Sequence, residues 1–248
     1  MVYYKHKYKH GIRMLSSNSR YCMWIRLNGQ LFGYERDLFM GIVYIRPADA
    51  KTRDQYFEEL ENDILKYEAL GDVLMSGDFN ARTGTEPDYI VNDESLASYV
   101  TMPSSYVADI PYARNNQDKV CNEYGKLLLE LCSSHSMRIL NGRFIGDTQG
   151  HLTFYSHNGA SCVDYTLVSV NVLDRITYFS IAEPDYIMSD HCLQRVGLRC
   201  AFNENIVTQV LHPMYDKFEW VENGKHLYPL ALLNEDSQSM LCEFLYLC

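Results

Sequence analysis

The fold is decided by the stretch Val73-Leu74-Met75-Ser76-Gly77-Asp78-Phe79-Asn80, which the turn-like Ala81-Arg82-Thr83-Gly84 follows. Its apolar beginning is typical of a short buried strand, and its polar end is typical of a strand that stops at the rim of a sheet. Because side chains alternate along a strand, Asp78 and Asn80 should point to the same side. A fixed carboxylate beside a neutral amide suits an anionic base that orients water. Gly-Asp and Asn after a strand also form ordinary turns, so this segment alone leaves both interpretations open.

Two downstream segments add residues of the same chemistry. Residues 162–169 form a β-rich run with one carboxylate, Asp164, which is costly inside a strand unless it is paired. Ser189-Asp190-His191 precedes a further strand-like run. Carboxylate and amide oxygens suit Mg²⁺ or Mn²⁺. An imidazole suits proton transfer or a contact to phosphate. The set therefore suits a divalent cation together with a group for either proton transfer or phosphate contact.

These motifs, in this order, resemble the endonuclease/exonuclease/phosphatase superfamily and, more specifically, the endonuclease domain of non-LTR (LINE-type) retrotransposons. The resemblance covers about residues 15–200, and further matching stretches are NEYGKLLLELC (122–132), ILNGRFIGD (139–147), GHLTFYS (150–156) and SCVDYTLVS (161–169). It implies an α/β fold of the α+β type, a two-sheet α/β sandwich of the DNase I-like kind. It also implies phosphodiester hydrolysis with Mg²⁺ or Mn²⁺, with DNA as the partner and nicked substrate.

The resemblance implies a role for each motif residue. Asp78 would orient or deprotonate the attacking water, and Asn80 would hold that water and a phosphate oxygen. Asp164 would pair with His191, and His191 would contact the scissile phosphate. Asp190 would be a metal ligand or a carboxylate behind one.

Four further residues are candidates around this centre. Tyr44 matches a Tyr-x-x-Pro position of the family and would support the phosphate or the leaving oxygen. Thr153 lies where the family often has a polar contact to the site. Arg82 and Arg143 lie beside motifs or loops that the family uses for DNA, and they are candidate substrate contacts. Each site residue also has a plain structural interpretation, such as a capping Asp164, a core His191 or a core Tyr44, but their joint order favours the functional one.

The sequence departs from the family pattern at two places. Family members carry an Asn strand and a Gln-Glu-Thr-like motif, whose Glu is the principal metal ligand, ahead of the point at which this sequence starts. His191 is followed by Cys192, where Pro is usual. We therefore expect an N-terminally incomplete copy without the first strand–helix–strand. Two alternatives follow: a non-catalytic domesticated or decayed fragment that acts at most as a binding module, and a phosphomonoesterase or inositol-phosphate phosphatase of the same superfamily.

Composition bounds the class of protein. The chain has 248 residues, 47% of them hydrophobic, which is enough for one α/β domain at residues 1–202 with a C-terminal extension at 203–248. No run of eighteen apolar residues or signal peptide is recognisable. The 8 Cys fit neither a zinc site nor a disulfide framework and indicate reduced core residues. We expect an intracellular, non-secreted protein, with the nucleus as one compartment. The net charge of −10 argues mildly against nucleic-acid binding.

The hydrophobic pattern predicts alternating strands and helices. Asn28-Gly29 predicts a tight hairpin turn between strands at 21–27 and 38–45, the second buried on both faces. A helix at 53–70 should end with Gly71 as its C-cap. Asn122 should cap a helix at 123–133. Further strands are predicted at 73–75, 137–140, 152–156, 162–169, 175–181 and 194–200, with a long loop at 84–120.

Overall fold

A six-stranded mixed sheet forms the centre of the computed structural model, which describes residues 2–16, 19–93 and 107–203. Its order across the sheet is β1-β2-β3-β4-β8-β5. Only the neighbours β3 and β4 run parallel. The strands are β1 (Ile12–Leu15), β2 (Cys22–Leu27), β3 (Asp37–Tyr44), β4 (Gly71–Asp78), β5 (Met137–Ile139), β6 (Phe154–Ser156), β7 (Gly159–Ser161), β8 (Asp164–Ser169), β9 (Ile176–Ile181) and β10 (Gln194–Leu198).

Two layers cover the two faces of this sheet. On one face lie the helices α2 (Ala50–Glu68) and α3 (Glu123–Ser134), which follow the short α1 (Gly29–Phe32) in the chain. The apolar side chains that share one face of α2, namely Phe57, Leu60, Ile64 and Tyr67, are buried in this layer's core. On the other face lies a second, antiparallel sheet of β9 and β10, whose Phe179 packs in one core with Leu38, Leu74 and Val168. The predicted two-sheet α/β architecture is confirmed.

The second sheet covers only one end of the central sheet. Leu38 and Met40 of β3 pack into the core beneath β9 and β10. Ile42 and Tyr44, further along the same face, are exposed. The prediction that β3 is buried on both faces is therefore wrong for its last half. The carboxyl ends of β3 and β4 are left open to solvent.

Two turn predictions are corrected by the structure. Asn28 does not form a two-residue hairpin turn: its Oδ1 accepts a hydrogen bond from Leu31 N (3.0 Å) as the cap of α1, and β3 begins only at Asp37. Gly71 does not cap α2, which begins earlier than predicted, after its cap Asp49, and ends at Glu68. Gly71 is the first residue of β4, and a Cβ there would lie 2.2 Å from Asp37 O. The glycine is needed for close strand approach.

The described parts of the predicted loop, residues 84–93 and 107–120, are fixed by buried ion pairs. Arg138 of β5 pairs with Asp109, and Arg143 pairs with Asp88 (2.7 Å). Asp88 also accepts a hydrogen bond from Ile139 N (2.7 Å), so the loop covers the outer edge of β5. Apart from Asn203, the predicted extension at 203–248 lies outside the described residues. In the part of the chain that is described, no helix is long and apolar enough to cross a membrane.

Candidate active site

The site forms where β4 ends beside the start of the antiparallel strand β8. Asp78 and Asp164 are direct partners across the antiparallel pair, so both carboxylates lie on one face of the sheet. Tyr44, the last residue of the parallel neighbour β3, pairs with Asp78 from the other side and is exposed. The three strand ends thus bring together residues from three separate segments of the sequence.

His191 completes this group from the loop before β10. Its Nδ1 lies 3.0 and 2.9 Å from the two carboxylate oxygens of Asp164. Its ring packs against Phe154, with 4.8 Å between the ring centroids. Backbone bonds from Tyr155 N to Asp190 O (2.8 Å) and from Cys192 N to Thr153 O (2.7 Å) tie the His191 segment to β6. Because Asp164 binds Nδ1, Nε2 is the ring nitrogen that remains to meet a substrate.

Thr153 and Asn141 hold Asp164 in place. The fully buried Thr153 Oγ1 accepts hydrogen bonds from Val163 N and Asp164 N, both at 3.0 Å. Asn141 Nδ2 donates to Asp164 O (3.0 Å), and its Oδ1 accepts from Thr166 N (3.1 Å). Thr153, predicted as a substrate contact, therefore contacts Asp164 from behind. Asn141 was missed, although it lies inside the matching stretch 139–147.

Asn80 lies beside Asp78 through a turn and not through strand alternation. β4 ends at Asp78, and Asn80 has a left-handed backbone with φ 49°. Asn80 N donates to Asp78 Oδ1 (2.8 Å), while Nδ2 donates to Asp78 Oδ2 (3.2 Å) and to Ile45 O (2.8 Å). The expected closeness is thus present, but the turn interpretation of the segment supplies it. A left-handed non-Gly residue is strained and marks a position fixed by its surroundings.

Burial and charge shift the pKa values of all three ionisable groups. Burial raises the pKa of Asp78, opposed by the bond from Asn80 N and by His191. Burial also raises the pKa of Asp164, although bonds from His191 and Thr153 pull it down. Partial burial pulls the pKa of His191 down, but the hydrogen bond and charge of Asp164, with the charges of Asp78 and Asp190, outweigh this, so it lies above its ordinary value. The site is rich in negative charge and favours an imidazolium.

A second polar layer lies one step deeper on the same face. Ser76 and Thr166 are partners across β4 and β8, and their hydroxyl oxygens are 2.9 Å apart. Thr166 Oγ1 donates to Gln194 Oε1 (2.7 Å) on β10. The period-two pattern from Asp78 and Asp164 could have predicted Ser76 and Thr166 here. Gln194 could not be predicted, because it arrives from the second sheet.

The two predicted arginine contacts have different surroundings. Arg82 is partly exposed, and its guanidinium pairs with Asp118 through two bonds of 2.7 and 2.6 Å. The Arg143 side chain is 1% exposed and pairs with Asp88. A direct phosphate contact by Arg143 would require breaking that buried pair, so a substrate contact by Arg143 stays a prediction.

Three groups could hold a metal ion at this site. Asp78, Asp164 and His191 each offer one ligand atom, and these atoms lie within 4.8 Å of one another. Two carboxylates and one imidazole at this separation offer oxygen and nitrogen ligands that suit a divalent cation. Asp190, predicted as a metal ligand, is exposed and does not belong to this group of three. Its charge still acts on His191.

Comparison with known proteins identifies the fold. No family model matches the chain, and neither does any curated protein. The AP endonuclease LMAP from Leishmania major aligns with a TM-score of 0.51 and 13% identity over 76% of this chain and 61% of that one. The endonuclease domain of TRAS1, a telomere-specific non-LTR retrotransposon, aligns with 0.48 and 15% over 76% and 80%. The 3′-5′ exonuclease NExo from Neisseria meningitidis aligns with 0.45 and 13% over 75% and 70%.

Only the first of these three alignments reaches a TM-score of 0.5, and it carries the fold assignment. The chain has an endonuclease/exonuclease/phosphatase-type fold of the DNase I-like kind, as the motifs predict. At 13% identity the likeness concerns the fold alone.

Proposed function

We propose that the chain hydrolyses phosphodiester bonds of DNA with the help of a divalent cation, as a nicking endonuclease of the retrotransposon type. The observation that carries the proposal is the Asp164–His191 pair, with 2.9 Å between Oδ2 and Nδ1, beside the Asp78 carboxylate on the neighbouring strand. The nuclease-like fold supports phosphodiester chemistry. The ordered GDFN, DYTLVS and SDH motifs support the retrotransposon type.

The residues divide the reaction between a base and a charge-stabilising group. Asp78 orients a water molecule and accepts its proton, and the water oxygen attacks phosphorus. The bond to the leaving sugar oxygen breaks, and that oxygen departs with the electron pair. His191, protonated and backed by Asp164, stabilises the negative charge that grows on the phosphoryl oxygens. Asn80 holds the Asp78 carboxylate through two hydrogen bonds, of 2.8 and 3.2 Å, before substrate arrives.

The cation would be Mg²⁺ or Mn²⁺, bound through carboxylate oxygens. When bound, it would neutralise negative charge on the phosphate and on the leaving oxygen. Asp78 is the first candidate ligand, because its carboxylate lies within 4.8 Å of ligand atoms of Asp164 and His191. Asp190 is the second candidate, and Tyr44 and Arg82 are the candidate contacts to substrate at the rim.

The test is nicking of supercoiled plasmid with Mg²⁺ or Mn²⁺, compared with an EDTA control. We expect His191→Ala and Asp164→Asn each to lower the nicking rate by at least about 100-fold. His135→Ala is the matched control: His135 also pairs with a carboxylate, Glu68 at 2.9 Å, but it lies at the opposite end of the sheet. Its nicking rate should equal that of the wild type.

Other outcomes separate the alternatives. A folded wild-type protein that releases inorganic phosphate from inositol phosphates, but does not nick plasmid, would be a phosphomonoesterase. A folded protein with neither activity would be a non-catalytic binding module. Equal activity of His191→Ala and wild type would contradict the assigned centre.

A further inference from the structure

The loop between β9 and β10 exposes three large apolar side chains in a row. Tyr186 is 71% exposed, Ile187 is 96% exposed and Met188 is 80% exposed. Single exposed apolar residues are normal on a protein surface, but consecutive ones at a functional site indicate a contact surface. We name Tyr186-Ile187-Met188 the apolar turn.

The apolar turn is fixed relative to the site. Met188 N and Ser189 N both donate to Asp185 O at 2.9 Å, and Ile187 N donates to Asp185 Oδ1 at 3.1 Å. Ser189 Oγ accepts from His191 N (3.0 Å), which links the turn directly to His191. Tyr186 meets Tyr155 of β6 edge to face, with 6.4 Å between the ring centroids. The exposed side chains are therefore presented three to five residues from the group that would contact the scissile phosphate.

Charge decides what the apolar turn can bind on a nucleic acid. Residues 182–190 contain Glu183, Asp185 and Asp190 and no Lys or Arg. Such a segment is repelled by phosphates, whose recognition needs cationic side chains. What a nucleic acid offers to an apolar surface is the face of a base, reached when neighbouring bases separate.

We propose that the apolar turn contacts a nucleobase beside the scissile phosphate, with Ile187 and Met188 entering between two bases. This inference rests on the proposed function, since it takes DNA as the substrate. Insertion opens a base step, so a step that is already open, such as one at a mismatch, is bound more tightly than a regular one. The apolar turn therefore makes the protein select deformable or unstacked sites.

The experiment compares binding to two oligonucleotide duplexes, one regular and one with a central mismatch, each with 2-aminopurine beside the mismatch position. Ca²⁺ replaces Mg²⁺, and affinity is measured by anisotropy of an end label. The test variant carries Ile187→Ser and Met188→Ser. Leu70→Ser is the matched control, because Leu70 is 61% exposed and immediately precedes β4, whose other end carries Asp78. A variant with Ile187→Leu and Met188→Leu keeps the apolar surface.

We expect wild type to prefer the mismatched duplex and to raise 2-aminopurine fluorescence. The serine variant should bind the mismatched duplex on the order of 10-fold more weakly and lose the preference. The leucine variant and Leu70→Ser should behave as wild type. A serine variant with wild-type affinity, preference and fluorescence overturns the inference and leaves the nuclease proposal standing. Wild-type protein that binds neither duplex and does not nick plasmid overturns both.

Discussion

At the scale of single residues, the ionised form of Asp78 lowers the stability of the folded protein. Burial raises its pKa, and the charge of Asp190 adds to this, while the bond from Asn80 N and the charge of His191 oppose it. A carboxyl group whose pKa is higher in the folded protein than in the unfolded chain stabilises the fold at a pH below its unfolded pKa. This contribution is lost as the pH rises through the pKa of the folded protein. At neutral pH the ionised Asp78 is therefore less favourable in the folded protein than in the unfolded chain.

We expect Asp78→Asn to lower nicking by at least about 100-fold without lowering the melting temperature at pH 7. Asparagine keeps an acceptor for Asn80 N and removes the buried charge. The gain in melting temperature over wild type should be larger at pH 7 than at pH 4, where Asp78 is closer to neutral in both states. Thermal unfolding in EDTA at the two pH values, together with plasmid nicking, measures this.

The same strand supplies the contrasting variant. Asp72, six residues before Asp78 on the same face, is buried and faces Arg36 and Arg175 at 3.5 and 3.7 Å. Asp72→Asn should lower the melting temperature, because it leaves two cations without their partner, and should leave nicking per folded molecule unchanged. A clear drop in the melting temperature of Asp78→Asn at pH 7 would contradict the inference that the ionised Asp78 destabilises the folded protein.

At the scale of secondary-structure elements, local sequence patterns predict most features that depend only on residues nearby in the chain. The stripe of α2 follows from apolar spacing, and Asn122 as the cap of α3 follows from its position before an apolar run. Asn28-Gly29 and Gly71 were misassigned because both are locally good turn residues, whereas the alignment of β3 with its neighbours decides their roles. Gly71 is required by Asp37 O on the neighbouring strand, and no pattern within the β4 segment contains that information.

In the candidate site, too, sequence order predicts some residues, while others depend on partners that are distant in the sequence. The motif residues Asp78, Asp164 and His191 could be predicted from sequence order and do meet in space. The surroundings of Arg143 could not be predicted, since its partner Asp88 lies 55 positions away in a segment without periodicity. Thr153 does contact Asp164, but its motif position gave closeness to the site and not the backbone donors that it binds.

Asn122 connects the start of helix α3 to the turn that carries Asn80. Its Oδ1 accepts from Gly125 N at the start of α3 (2.8 Å) and from Arg82 N (2.9 Å), and its Nδ2 donates to Asn80 O (3.2 Å). Asn122→Ala should destabilise the protein by about 1 kcal/mol or more through the lost cap. It should also lower nicking, because the turn that carries Asn80 loses two of its supports. Urea unfolding and plasmid nicking check both effects.

Asp49→Ala is the matched control for that variant. Asp49 caps α2 in the same way, through Thr52 N at 3.0 Å, and the helix begins on the far side of Pro47 from β3. It should cost a similar amount of stability and leave nicking intact. Asn122→Asp keeps the acceptor and loses the donor to Asn80 O, so it should recover the stability but not all of the nicking. Equal nicking by Asn122→Ala and Asp49→Ala would show that Asn122 acts only as a cap.

At the scale of the whole molecule, the layers explain where the site lies. The helices α2 and α3 pack on one face of the central sheet, while β9 and β10 cover only one end of the other face. The uncovered end carries exposed apolar residues of β3 and the paired carboxylates of β4 and β8. The strand ends that carry these carboxylates are therefore accessible, since neither layer covers them.

Burial within these layers predicts which cysteine thiols react with an alkylating reagent. The pattern of reactive thiols therefore tests whether a sample has this fold. Cys22, Cys132, Cys162 and Cys192 are buried and free, whereas Cys200 is exposed. Burial raises the pKa of the buried thiols, that of Cys162 to about 12, and only the thiolate reacts with alkylating reagents. Under native conditions iodoacetamide should modify Cys200 quickly and these four slowly, as measured by peptide mass spectrometry over time.

Cys162 and Cys192 make this measurement informative for function. Cys162 lies two residues before Asp164, and Cys192 directly follows His191. Protection of both means that the two site segments are packed as described, and urea should bring all five thiols to one common rate. A sample that nicks no plasmid while protecting Cys162 and Cys192 has an assembled site without catalysis. A sample that modifies them as fast as Cys200 has no assembled site, and its lack of nicking says nothing about Asp78, Asp164 or His191.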